Sequence, residues 1–223
     1  MRAGAATVWE DVHAERRRLL DDLTGVSDAA WRTPSLCPGW DVHDVVAHLV
    51  DTARTGRVSF VRDLLAAHMD FDRANARGIA RHKRDDPRAT LGALRDAVDL
   101  TRTPPVNLAT RLVEAVVHGE DVRRPLGIPG AYPARAVTQA LAYQLRTPVT
   151  FGGGRERAAG LRLVDRSTGE SWGTGEGVAA DAVDLLLAVS GRPVPQERFD
   201  GPGAPRLVLA AQPVPTTQQE GDR

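Results

Sequence analysis

Apolar residues recur at helical spacing along most of the first two-thirds of the chain. Val8, Trp9, Val12, Leu19, Leu20 and Leu23 predict a first helix ending near residue 24. The stretch TPSLCPGW breaks it, because Pro34, Pro38 and Gly39 do not belong in a helix interior. Asp41 is then the expected N-cap of a second helix, striped by Val42, Val45, Val46, Leu49, Val50 and Ala53. Phe60, Val61, Leu64, Leu65 and Phe71 continue the helical pattern after Gly56, and His68 falls within that stripe as a core histidine. Past the polar interruption KRDDPRAT, Leu91, Leu94 and Val98 predict another amphipathic helix, closed by TRTPPVN. A long helix follows from about residue 110 and stops near PLGIPG. A weaker stripe over 133–145 suggests one more.

After FGGG the texture changes. LRLVDRSTGESWGTG alternates over short spans and carries turn residues, which suits a hairpin, with Gly173, Gly175 and Gly177 serving turns. VAADAVDLLLAVSG reads as a buried helix stopped by Gly191, and RLVLAA as a final strand. The expected architecture is α+β: a helical unit over 1–150, a small α/β unit over 151–211, and a polar, disordered tail over 212–223. The glycines near 152–154 read as an exposed linker, not a phosphate loop, since no Gly-Lys-Ser/Thr ending follows them.

Composition narrows the function classes. Among 223 residues, 29 Lys and Arg balance 29 Asp and Glu, so no excess of positive charge marks a nucleic-acid partner. A single cysteine, Cys37, excludes an internal disulfide framework and favours a reducing, cytoplasmic setting. It reads as a packed loop thiol, because no partner base is visible in the sequence. The N-terminus turns charged at once, without a secretory core, and no apolar run approaches the ~18–20 residues of a membrane span.

The chemistry concentrates in TRLVEAVVHGEDVRRPLG, residues 110–127. Glu114 and His118 stand four apart, on neighbouring helical turns, so both can point at one cation. Periodicity alone gives a second reading. Leu112, Val113, Val116 and Val117 define the apolar face, which leaves Glu114 and His118 as a solvated pair opposite it. A third ligand would have to come from another helix. His13, His43 and His82 read as surface residues, whereas His48 sits at the edge of its helix's stripe, where a ligand facing a cleft would be placed.

SLCPGWDVHDVVAHL followed by RLVEAVVHGEDVRRPLG resembles the mycothiol-dependent maleylpyruvate isomerase family, within the DinB-like four-helix metalloproteins. The residues carrying the resemblance are Trp40, His48, Leu49, Arg111, Glu114, His118, Gly119 and Asp121; the stretch GTGEGVAADAVDLLLAVSGR is similar to the family's small second domain. The resemblance implies a DinB-like bundle that holds zinc through His48, Glu114 and His118. It also implies mycothiol as the thiol cosubstrate and a small electrophilic substrate, acted on by isomerisation or S-transfer.

Around those ligands, Asp44 and Asp121 each lie one turn from a histidine and are candidates for the acceptor that orients the ring. Arg111 shares a face with Glu114 and could bind a substrate carboxylate, and Arg111 with Asp121 are the candidate catalytic residues. Arg192 and Arg206 are the small unit's candidates for holding an anionic group of cofactor or substrate. The same ligands would also serve metal-assisted hydrolysis or a non-catalytic metal-binding module. Oligomeric state is not legible.

Overall fold

The computed structural model describes residues 2–212, with side chains from residue 4 onward. The chain divides into two units, Met1–Gln144 and Leu145–Arg223. The expected tail lies, beyond Gln212, outside the described residues.

The first unit is helical. α1 (Arg2–Leu23) packs on α5 (Pro87–Arg95) and α6 (Thr110–Arg123), while α2 (Val42–Arg54) packs on α4 (Phe71–His82), α5 and α6. α3 (Arg57–Ala66) lies against α4, and α7 (Ala134–Gln144) against α6. Leu19, Leu20, Leu23, Val45, Val46, Leu49, Leu91, Leu94 and Val122 meet in one core, which Trp31 joins from the α1–α2 connection. α2 starts as its sequence predicts: Asp41 accepts from the Asp44 N–H, and Asp44 accepts from the Asp41 N–H in return. α2 is buried nearly all round, since Val42, His43, Val45, Val46, Ala47, His48, Leu49 and Val50 are all covered.

Two local expectations fail here. The helical pattern after Gly56 splits at His68 and Met69, which take left-handed φ values of 58° and 64° and separate α3 from α4. Of that apolar set only Leu64 is buried, and His68 is exposed rather than in the core. Spacing carries no information about such a two-residue reversal of the backbone.

The second unit pairs a three-stranded sheet with two helices. β1 (Leu161–Asp165) lies between antiparallel β2 (Ser171–Gly173) and parallel β3 (Glu176–Ala180), with Leu163 opposite both Trp172 and Val178. The chain wraps around the start of β1 between β2 and β3. Gly175 makes that crossing at φ 124°, where an added Cβ would stand 2.1 Å from the Gly160 carbonyl oxygen. α8 (Ala182–Val189) packs on β1, and α9 (Ala204–Ala211) on α8 and β3.

The expected buried helix beginning at Val178 is therefore a strand up to Ala180 and a helix only after Asp181. RLVLAA is not a strand but part of α9, with Pro205 in its first turn and Ala204, Leu207 and Ala211 buried at helical spacing. Six residues cannot distinguish the two periods. The glycine stretch is no open linker: Gly153 and Gly154 are buried, and a Cβ on Gly153 would lie 1.9 Å from the Thr147 carbonyl oxygen. No helix among the described residues is long and apolar enough to cross a membrane.

Candidate functional site

α2 and α6 bring two histidines together. The His48 and His118 rings stand 4.8 Å apart at 76°, edge to face. Trp40 covers both, with its ring 4.9 Å from His48 and 6.3 Å from His118. The tight loop before α2 holds Trp40 there: the Ser35 N–H donates to the Trp40 carbonyl (2.9 Å), the Trp40 N–H to the Cys37 carbonyl (3.1 Å), and Gly39 supplies φ 80°. The loop is tied to α6 itself, because the Leu36 N–H donates to the Asp121 carbonyl (3.2 Å).

His118 Nδ1–H donates to Asp121 Oδ2 at 2.8 Å, and the Asp121 side chain is fully enclosed. A carboxylate at Nδ1 turns the opposite ring nitrogen, Nε2, outward, the orientation that a metal-binding imidazole uses. Two imidazoles with a carboxylate one turn away are donors of a type that fits a divalent cation such as zinc. The third expected ligand is engaged elsewhere. Glu114 Oε2 accepts from Arg111 Nη1 at 2.6 Å, Arg16 lies 3.9 Å from its other oxygen, and Arg111 also donates to the Thr52 carbonyl (3.3 Å). Among the described residues no group of three or more His, Cys, Asp or Glu side chains converges closely enough to hold a metal ion.

α6 is not the two-faced helix that its spacing describes. Arg111, Glu120, Asp121 and Arg123 are buried, and the Glu114 and His118 side chains are only 12% and 14% exposed. The solvated-pair reading is therefore excluded. Its polar residues pair inward instead: Arg123 bonds to Glu15, to Asp22 (2.7 Å) and to the Tyr132 hydroxyl (2.8 Å). Gly119 sits against this network, where a Cβ would approach Arg123 Nη1 to 2.8 Å and Tyr132 Oη to 2.9 Å.

A cavity of about 180 Å³ opens beside Arg111 and Glu114. Asp51 and Thr52 of α2 line it, one turn beyond His48, together with Phe60, Leu64, Phe71 and Pro104. Burial pushes the Asp51 carboxyl above the ordinary aspartate range, against the pull of Arg81. Gly78 lets α4 approach this carboxylate, since a Cβ there would fall 2.4 Å from Asp51 Oδ2.

Residues 12–105 match the family model described as the mycothiol maleylpyruvate isomerase N-terminal domain. That stretch of the helical unit is similar to that family's N-terminal domain. The match includes Trp40 and His48 but ends before Glu114 and His118. The fold is similar to the crystal structure of the mycothiol-dependent maleylpyruvate isomerase, with 15% identity, a TM-score of 0.62, and 91% of this chain and 93% of that chain covered. A histidine-to-alanine mutant of that isomerase is similar at 15% identity with a TM-score of 0.61 over the same coverage. No curated protein matches the sequence.

The structure gives the other expected site residues the following surroundings. The Asp44 carboxylate accepts from the Asp41 N–H (3.1 Å) and from Lys83 Nζ (2.7 Å). His43 is not a surface residue: it is buried and shares a 2.8 Å hydrogen bond with the Thr90 hydroxyl. His13 and His82 are likewise mostly covered, their side chains 15% and 14% exposed. In the small unit, Arg206 donates to the Ala159 carbonyl (2.6 Å) and pairs with Glu176, and Arg192 donates to the Ser190 carbonyl (3.1 Å). Trp40, named from the sequence only for the resemblance it carries, is the cover of the histidine pair. Arg16, Asp51 and Thr52 carried no sequence signal, since each reaches the site only through the packing of α1 and α2 on α6.

Proposed function

We propose that the chain is an enzyme that uses a low-molecular-weight thiol, mycothiol, to isomerise a small electrophilic substrate or to transfer sulfur to it. His48, Glu114 and His118 are the residues that would hold a divalent ion, zinc by ligand type. Such an ion would bind the sulfur and favour thiolate over thiol. The observation that carries this reading is the histidine pair under Trp40, with His118 oriented by the enclosed Asp121, next to a cavity of substrate size.

The chain's own residues then have distinct tasks. Asp121 holds the proton on His118 Nδ1 and fixes the ring. Arg111 neutralises Glu114 and, on the cavity wall, can donate to a substrate oxygen. Trp40 and the apolar wall exclude water, which protects a thiolate adduct from competing hydrolysis. When the sulfur attacks an electrophilic carbon, a C–S bond forms and the π pair moves onto a conjugated carbonyl oxygen. Rotation about the carbon–carbon bond that has become single, followed by return of that pair, expels the thiolate and completes isomerisation. Protonation of the carbon instead retains sulfur and completes transfer.

The test is elemental analysis of the chelator-free protein, together with electrophile consumption with and without thiol. The expected result is about one divalent ion per chain, lost in His118→Ala while helical content is kept, and turnover only with thiol. Protein without metal would overturn the ligand assignment. Turnover that is indifferent to thiol would move the reading to metal-assisted hydrolysis.

A further inference from the structure

The Glu114 carboxylate sits between two buried guanidiniums. Arg111, one turn back on α6, donates through Nη1 to Glu114 Oε2 (2.6 Å). Arg16 of α1 approaches the other oxygen, with its Nη2 3.9 Å from Oε1. Both arginines are enclosed, so salt screens neither charge strongly.

The two guanidiniums are not used alike. Arg16 Nη1 donates to the Val98 and Leu100 carbonyls (3.2 and 3.0 Å), which anchors the side chain on the segment after α5. Its Nη2 is buried and has no hydrogen-bond partner among the described residues. A buried N–H in that condition costs free energy. At 3.9 Å Glu114 Oε1 is too far to accept from it, and a turn of the Glu114 side chain that closes the gap would satisfy it. Arg111, for its part, can release Glu114 without being left bare. The same Nη1 also donates to the Thr52 carbonyl of α2 (3.3 Å), an acceptor that stays when the carboxylate leaves. The exchange trades one arginine bond for another: Arg111 keeps Thr52, and Arg16 gains Glu114. Carboxylates that hold a cation are themselves held by hydrogen bonds, and Arg16 is placed to supply one.

We infer that the two arginines have opposite roles at Glu114: Arg111 is a latch that withholds Oε2 from a divalent ion, and Arg16 is the positioning residue that holds Oε1 once the latch opens. The inference rests on the reading of Glu114 as a ligand. It accounts for a carboxylate that does not converge with the His48–His118 pair. Charge alone makes a different forecast. By Coulomb's law, removing either cation would strengthen binding of a divalent ion, and replacing arginine by lysine would change little.

The test is zinc affinity of the full chain, measured by chelator competition, with helical content recorded for each variant. Arg16→Lys keeps the charge and one nitrogen for Val98 and Leu100 but offers no second nitrogen to Glu114; it should weaken zinc binding about tenfold. Arg111→Met removes the latch and should tighten binding about tenfold. In a Glu114→Gln background, Arg16→Lys should have no further effect, because the two residues act through one contact. Cobalt-loaded Arg16→Lys should likewise show the visible absorption of cobalt-loaded Glu114→Gln, not that of the parent protein. If Arg16→Lys does not fold, Arg16→Gln stands in, with weaker binding again expected. Unchanged affinity in the Arg16 variant, a loss that adds to that of Glu114→Gln, or weaker binding in Arg111→Met would overturn this inference and leave the ligand assignment standing. Zinc held as tightly by Glu114→Gln as by the parent protein would overturn the ligand assignment, and this inference with it.

Discussion

Arg123→Met isolates the buried charge network that fixes α6, and with it His118, against α1. The Arg123 side chain is 2% exposed and holds the equally enclosed Glu15, along with Asp22 and the Tyr132 hydroxyl. Methionine keeps much of the volume and removes the charge. Glu15 would retain only Arg18, at 3.0 Å and itself 41% exposed. Removing one partner of a buried ion pair costs about 3–5 kcal/mol, and the surviving Arg18 contact places this case near about 3 kcal/mol. With a urea dependence of about 1–3 kcal/mol per molar, the unfolding midpoint should fall by about 1–3 M. Trp9, Trp31 and Trp40 all lie in the helical unit, so intrinsic fluorescence can follow the transition.

The deficit should also depend on pH, with a definite sign. Burial already pushes the Glu15 carboxyl above the ordinary glutamate value of 4.5, and Arg123 is the main group pulling it back. Without Arg123 it rises further. A carboxyl raised on folding binds more protons folded than unfolded, so stability falls as pH climbs through the window between the two values. The variant's deficit should therefore be smallest near the unfolded value of 4.5 and grow toward neutrality. Adding Glu15→Gln should restore most of the loss, because no buried charge is then left alone. A deficit below about 1 kcal/mol, or one that does not change with pH, would refute the reasoning.

Three further outcomes follow from single contacts. Asp121→Asn should weaken zinc affinity, measured by chelator competition, by about 10–100-fold while the fold persists; unchanged affinity would remove Asp121 from the site. Burial, with the Lys83 charge, pushes His43 below the ordinary histidine value of 6.5, so stability should be lost as pH falls through 6.5 toward the folded value. His43→Gln should flatten that slope without abolishing it, since His13 and His82 are lowered in the same direction; an unchanged slope in urea titrations between pH 5 and 7 would count against it. Gly153→Ala should lower the melting temperature of the small unit, because the new Cβ collides with the Thr147 carbonyl; a melt that stays unchanged would contradict the close packing.

Local physics decided what could be read from the sequence alone. Gly25 stands just past the end of α1, Asp41 caps α2, and the 3.6-residue stripe of valines and leucines marks the face that α2 buries. All of these act within one or two helical turns, so a linear reading finds them. The spacing of Glu114, His118 and Asp121 likewise belongs to one helix, and the structure realises the His118–Asp121 contact across three residues.

Tertiary structure decided everything that depends on what a helix is packed against. His43, Glu114 and His118 looked exposed because periodicity assumes one wet face, yet α2 and α6 are covered on several sides by α1, α4, α5 and α7. Strand or helix in VAADAV and RLVLAA turned on sheet pairing and on contact with α8, neither of which a six-residue window contains. Whether Glu114 faces a cation or Arg111 was equally illegible. Both are favourable partners for one carboxylate, and the choice depends on Arg16 and Thr52 arriving from helices distant in the chain.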